Sequence, residues 1–231
     1  MHMSKELSKN GIIFIGIDLP GHGYSTGLKA YIPDINGLVS CCFNLIKTLF
    51  KTDGDRDDNN FYMNRKKLLD KSIPLFLIGQ SLGGGICLLL AHKLQTTPLT
   101  NVQFAGSILL CPLLRLYKPP PKFIQFMLKY TVVPFFSRAP MFSFLRSQPV
   151  DEGRNHITYD KYLKYDTQQG LSYNGGVRFG SALTMIEINK HIKKVIPAVS
   201  YPFLVVMDPN DKVVSFDEVV NFVNSSRTNM Y

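Results

Sequence analysis

The chain has 231 residues, 45% of them hydrophobic and 19% charged, which suits one globular domain with a sizeable core. Its four cysteines, two of them adjacent at Cys41 and Cys42, exclude a disulfide framework and fit buried free thiols in a reducing, cytoplasmic setting. The net charge of +9 is unevenly placed, because no acidic residue lies between Asp70 and Asp151 while eight Lys or Arg do. No groove-reading or RNA-binding signature accompanies that charge, so nucleic acid is not the expected partner. A basic face in peripheral contact with an anionic membrane surface fits better, beside the plainer reading of a mildly basic enzyme with no specific partner. No apolar run approaches the roughly 20 residues of a membrane-crossing helix.

In chain order, Lys5 and Lys9 precede the apolar GIIFIGI as in a signal peptide. Glu6 interrupts that basic region, however, and Asp18-Leu19-Pro20-Gly21 replaces a cleavage site, so Ile12–Asp18 reads as a strand. Residues 33–50 have helical spacing, with Leu38, Cys42, Leu45 and Leu49 on one stripe. Residues 51–72 are polar and read as a solvated loop. Asp53, Asp55 and Asp57 imitate the start of a calcium loop, but Asp58 occupies the required glycine position and Asn64 the required glutamate, so no metal is expected.

A strand over Pro74–Ile78, a turn, and a helix over Leu82–Leu94 follow. A strand over Gly106–Cys111, a helix over Ser181–Ile196, a strand over Phe203–Met207 and a helix over Phe216–Val223 complete the alternation. Such repeats predict an α/β fold, a parallel sheet with helices on both faces and a site at the carboxyl ends of the strands. Asp18, Ser81, Pro112 and Asp211 fall at or just past those ends. Residues 113–175 are too long for a simple crossover and read as a cap or lid insertion within the single domain of residues 1–231. Its first half mixes Phe123, Phe126, Phe135, Phe136, Phe142 and Phe144 with Lys118, Lys122, Lys129, Arg138 and Arg146. Two readings stand: a cap that touches a lipid interface, with Phe135 and Phe136 as substrate-cap residues, or aromatics that form the cap's own core.

The densest signal is Gly79-Gln80-Ser81-Leu82-Gly83, set between a strand and a helix and followed by Gly84 and Gly85. This is the G-x-S-x-G nucleophile elbow in its required context rather than a glycine-rich turn that happens to contain a serine. Ser81 is expected on a strained turn, with the unpaired N–H groups and positive end of the new helix aimed where an oxyanion forms. A serine needs a base and the base an orienting acid, in the chain order Ser, Asp or Glu, His. Asp211, in YPFLVVMDPNDKVV, is the candidate acid, Asp208 is its rival, and an ordinary turn aspartate is the plain alternative.

Several stretches in the right order carry a family resemblance: DLPGHGYSTGLKAYIPD (18–34), FLIGQSLGG (76–84), ILLCPL (108–113), YNGGVRFGSALTMI (173–186) and VSYPFLVVMDPNDKVV (199–214). The chain resembles the monoacylglycerol lipase and lysophospholipase branch of the α/β-hydrolases, the serine aminopeptidase-like hydrolases, over nearly its whole length. That resemblance implies a serine hydrolase of monoacylglycerol or lysophospholipid esters with no metal and no cofactor. It assigns Ser81 as nucleophile, Asp211 as acid and the backbone N–H of Leu82 as an oxyanion donor; His22 becomes a structural turn residue. The family's glycine before the acid turn is Asp208 here. His2, His22, His92, His156 and His191 all precede Asp211, so the family's base, expected after the acid, has no counterpart. The family also places three strands and an oxyanion loop ahead of the helix that residues 1–10 resemble. The expectation is therefore a partial hydrolase domain, incomplete at both termini. Alternatives are a catalytically inactive pseudoenzyme that binds lipid or a partner, and a peptidase or thioesterase on the same fold.

Overall fold

The computed structural model describes residues 2–50, 73–141, 169, 171, 173 and 175–228. The polar stretch of residues 51–72, with its rejected calcium loop, and Phe142, Phe144 and Arg146 lie outside the described residues.

Three parallel strands, β1 (Pro74–Gln80), β2 (Gln103–Leu110) and β3 (Phe203–Val206), form a sheet in the order β1-β2-β3. The register stacks Leu77, Ser107 and Phe203 on one face and Ile78, Ile108 and Leu204 on the other. The first face is covered. Leu77, Ser107 and Leu109 are buried beneath α3 (Leu82–Thr96), which packs on β1 and β2 and in turn against α2 (Ile35–Leu49) and α6 (Phe179–Val195). Apolar on all sides, α3 is buried without a break from Gly84 to Ala91, as a helix enclosed by sheet and helices must be. The second face departs from expectation. Phe76, Ile78, Leu204 and Val206 on it are exposed, so the described helices cover one side of the sheet where the alternation predicts both.

Ile12–Asp18 also departs from the predicted strand. After α1 (His2–Lys9) this run has no ladder partner among the described residues, and Ile12, Ile13, Ile15 and Ile17 are exposed. Apolar β-branched composition favours a strand, but a strand exists only where a neighbour takes its backbone N–H and C=O groups.

The chain next turns through a tight loop built on Asp18, whose carboxylate accepts the Tyr24 N–H while its carbonyl accepts the Ser25 hydroxyl. Asp34 then caps α2, accepting the N–H groups of Asn36 and Gly37. The buried stripe of α2 is Ile35, Leu38, Val39, Cys42, Phe43 and Ile46. It is rotated from the predicted one, since Leu45 and Leu49 are only half-buried. Helix α6 is tied to the same loop by two buried hydroxyls. Ser181 accepts the Ile32 N–H and donates to the Ala30 carbonyl, and Thr184 donates to the Ile32 carbonyl. Ser215 caps the final helix, α7 (Phe216–Ser225), where buried Glu218 pairs with Arg115 at 3.5 Å and Lys193 at 3.7 Å. Within residues 113–175, the expected insertion, the described helices are α4 (Lys122–Met127), a π-helical turn (Leu128–Val132) and α5 (Val133–Phe136).

All four cysteines are free. Burial, with the neighbouring Cys41 adding to it, pushes the Cys42 thiol up to about 11, and burial then Cys42 push that of Cys87 up to about 12. In the native protein at pH 8, Ellman's reagent should therefore titrate the half-buried Cys41 and Cys111 and leave Cys42 and Cys87 untouched until the chain unfolds. Rapid reaction of either buried thiol would contradict this packing.

Candidate active site

Strand β1 ends by running head-on into the start of α3. A Cβ on Gly79 would lie 2.3 Å from the Gly83 carbonyl oxygen and 2.7 Å from the Cys87 sulfur, so no side chain fits there. Gly84 and Gly85 are equally constrained. Their Cβ atoms would meet Pro112 at 2.7 Å and, for Gly85, the Leu113 carbonyl oxygen at 2.7 Å and Ile188 at 2.8 Å. Gly83 has open space around it. The close approach thus needs Gly79, Gly84 and Gly85, whereas the motif's second glycine contributes through its backbone position.

Between these glycines Ser81 adopts φ 52°, ψ −120°, a region that L residues rarely occupy, and its side chain is exposed. The main chain holds it there. The Ser81 N–H donates to the Leu110 carbonyl at 2.9 Å, and its carbonyl accepts the N–H groups of Leu113 at 2.8 Å, Gly84 at 3.0 Å and Gly85 at 3.2 Å. Leu82 opens α3, so its N–H has no intrahelical acceptor at the positive end of the helix. Cys111, which follows β2 at the same end of the sheet, has φ 42°. No local sequence signal marks either Cys111 as left-handed or Leu113 as a donor to the elbow.

Beyond β3 the two candidate acids separate by environment. Asp208 is exposed, and its carboxylate accepts the Asn210 N–H at 2.8 Å, the ordinary behaviour of a turn aspartate. Asp211 is half-buried, with Oδ1 accepting the N–H groups of Val213 at 2.7 Å and Val214 at 3.0 Å. Its second oxygen is left without a hydrogen-bond partner among the described residues. The acid turn is pinned across the sheet end, because Tyr117 donates to the Val213 carbonyl and Ser215 to that of Arg115 around an antiparallel bridge of Leu116 and Val214. Ser81 follows β1 and Asp211 follows β3, two strand spacings apart, or about 10 Å. Cys111 and Pro112 lie between them.

No imidazole is hydrogen-bonded to the Ser81 hydroxyl or the Asp211 carboxylate among the described residues. His22 sits in its own turn with Nδ1 3.0 Å from the Pro20 carbonyl oxygen, the structural role expected of it. His92 lies eleven residues along α3, about 16 Å from the elbow. His191 is on α6. Phe135 and Phe136 are exposed on the described part of the insertion. Among the described residues no group of three His, Cys, Asp or Glu side chains could hold a metal ion. Nor is any helix there long and apolar enough to cross a membrane.

The family profile described as serine aminopeptidase, S33, matches residues 1–229. A monoglyceride lipase homolog of monkeypox virus is 22% identical over 228 residues, 98% of this chain and 71% of the relative. Mouse monoglyceride lipase is 22% identical over 227 residues, 98% of this chain and 64% of the relative, so the chain spans under two thirds of that protein's length. Among solved structures, a monoacylglycerol lipase from Paleococcus ferrophilus superposes with TM-score 0.65 at 15% identity, covering 99% of this chain and 74% of that one. A soluble variant of Saccharomyces cerevisiae monoglyceride lipase, in complex with a substrate analog, gives TM-score 0.66 at 19% identity, with 98% and 68% covered. At those identities the likeness is one of fold, and the fold is that of the α/β-hydrolases.

The two motif glycines should respond differently to a methyl group. Gly79→Ala should cost about 3 kcal/mol, the upper end of the overpacking range, because the two nearest clashing atoms are backbone. Gly83→Ala should stay within about 1 kcal/mol of wild type. Urea unfolding of both variants measures this, and equal losses would refute the crossing described.

Proposed function

Because this chain belongs to the serine aminopeptidase S33 family, we propose that it is a serine hydrolase acting on carboxylic esters of monoacylglycerols or lysophospholipids. The observation that carries the reading is Ser81, exposed at φ 52° on the strand-to-helix turn and followed by the Leu82 N–H at the start of α3. In this reading the Ser81 Oγ attacks the acyl carbonyl carbon, and its proton passes to a general base. The Leu82 N–H holds the oxyanion of the tetrahedral intermediate, which collapses to an acyl-Ser81 ester as the protonated glycerol oxygen departs. Water then attacks the ester and releases the fatty acid. Asp211, with one carboxylate oxygen uncommitted, is the group that orients the base.

The printed names of the relatives support an acyl-lipid ester as substrate. A thioester would fit the same machinery. One observation favours a second reading, that of a non-catalytic lipid-binding module: the base is the one role that no described residue fills.

Labelling with a fluorophosphonate probe separates the two. A missing base costs on the order of 10⁶-fold in rate, so the 231-residue chain should label slowly, only at Ser81, and faster when free imidazole is supplied. Ser81→Ala should abolish labelling and also the slow hydrolysis of 1-monoacylglycerol. Labelling that survives Ser81→Ala would overturn the assignment. No labelling at any imidazole concentration, together with retained binding of a monoacylglycerol, would establish the binding module.

A further inference from the structure

The chain that leaves β2 is bound to Ser81 on both sides of a single left-handed residue. The Ser81 N–H donates to the Leu110 carbonyl at 2.9 Å, and the Ser81 carbonyl accepts the Leu113 N–H at 2.8 Å. Between those two partners lie Cys111, at φ 42°, and Pro112. A regular parallel ladder is bonded differently. Continuing the β1–β2 register past Gln80 and Leu110 sets Ser81 opposite Cys111. A residue in a parallel pair donates to the residue before its partner and accepts from the residue after it. The first of these bonds is made, to Leu110. The second would have to come from residue 112, and proline has no N–H to give.

The chain supplies the missing donor one residue later. For Leu113 to reach the acceptor that residue 112 would have served, the backbone between must take up one extra residue, as in a bulge. The left-handed turn at Cys111 does so. Pro112 is thereby turned into the core, where its Cβ lies 2.7 Å from the place a Gly84 Cβ would take. The reversal is anchored on its other side as well. The Cys111 N–H donates at 2.7 Å to the carbonyl of Val206, the last residue of β3, the strand that leads to Asp211. Cys111 therefore fixes the end of β3 directly and the Ser81 carbonyl through Leu113, and both bonds are made by the main chain rather than by its thiol. We propose that Cys111 is a positioning residue for Ser81: its left-handed backbone, which makes up for the donor that Pro112 lacks, sets where the Ser81 hydroxyl stands relative to the Asp211 turn. The inference rests on the reading of Ser81 as a nucleophile and assigns Cys111 no contact with substrate.

The test is the rate at which a fluorophosphonate labels Ser81, with imidazole supplied, in folded variants of the full chain. Cys111→Val puts a β-branched residue where φ is positive and should slow labelling at least about tenfold, since a displacement of about 1 Å at a reacting group can cost about 100-fold. Cys111→Asn and Cys111→Gly also lack the thiol but accept positive φ, so they should restore labelling to within about threefold of wild type. Amide hydrogen exchange at Leu113 reads the geometry apart from the chemistry. That amide should be protected in the wild type and in the asparagine and glycine variants, and exchange at least about tenfold faster in the valine variant. A folded valine variant that labels at the wild-type rate would overturn the proposal, as would folded asparagine and glycine variants as slow as valine. If the valine variant does not fold, Cys111→Gly and Cys111→Ala decide, because both remove the thiol and only glycine relieves the strain. The glycine variant should then unfold at the higher urea concentration, and an equal or lower midpoint would overturn the proposal. A wild-type chain that never labels sinks the hydrolase reading instead. Leu113 exchange alone then decides whether Cys111 sets the turn at Ser81, and equal protection in the valine variant means that it does not.

Discussion

The site hangs on one main-chain atom, the carbonyl oxygen of Ser81. It accepts N–H groups from Gly84 and Gly85, in the first turn of α3, and from Leu113, which follows β2. One oxygen thereby joins the end of β1, the start of the helix behind it and the chain leaving the neighbouring strand. Three donors on a single carbonyl are possible only because the residues around it have no side chains in the way. At Gly79, Gly84 and Gly85 alike, the two nearest contacts that a Cβ would make are shorter than 3 Å. The strained conformation of Ser81 is the consequence. A residue in that region of backbone space costs of order 1–3 kcal/mol, and it persists because the surrounding bonds over-determine it.

From that knot the rest of the site follows by strand order. Leu113 continues into Arg115 and Leu116, which pair with the acid turn at Val213–Ser215. Arg115 also reaches Glu218 at the start of α7. The Ser81 turn, residues 113–117 and the Asp211 turn therefore form one connected backbone network across the carboxyl end of β2. Glu187 extends it to the insertion. Burial alone would raise its carboxyl, but hydrogen bonds from Lys190 and Lys129 outweigh burial and hold it below the ordinary carboxylate range. A carboxyl held low in the folded state contributes stability above its unfolded pKa and loses it as the pH falls through the folded value, so the anchor of α4 and α5 on α6 weakens in acid.

What was legible in the sequence is what depends on neighbours along the chain. Strand, turn and helix around Ser81 are adjacent segments with local signals, and the structure places them within two residues of their predicted ends. Asp211 and Asp208 lie three residues apart and look alike as letters; hydrogen bonding to Val213 and Val214 distinguishes them. Ile12–Asp18 has the composition of a strand, yet pairing is decided by chain far away in sequence, so composition alone could not settle it. The same holds for the bare face of Phe76, Ile78, Leu204 and Val206. The phase of α2 was misread because Leu45 and Leu49 are as apolar as Phe43 and Ile46, and only the position of α3 selects between the two stripes. The aromatics of the insertion posed the hardest case, since a buried cap core and a lipid-facing surface use the same residues. Among the described ones, Phe123, Phe126, Phe135 and Phe136 are exposed.

The central claim is that Ser81 is held in a strained, glycine-like conformation so that its hydroxyl projects from the elbow. Equilibrium unfolding in urea of Ser81→Gly and Ser81→Ala tests it most directly, because both variants remove the hydroxyl but only glycine relieves φ 52°, ψ −120°. The account predicts that the glycine variant is more stable than the alanine variant by about 1–3 kcal/mol, despite the extra entropy of its unfolded chain. A glycine variant no more stable than the alanine variant would mean that residue 81 carries no strain, and the elbow as described would be wrong.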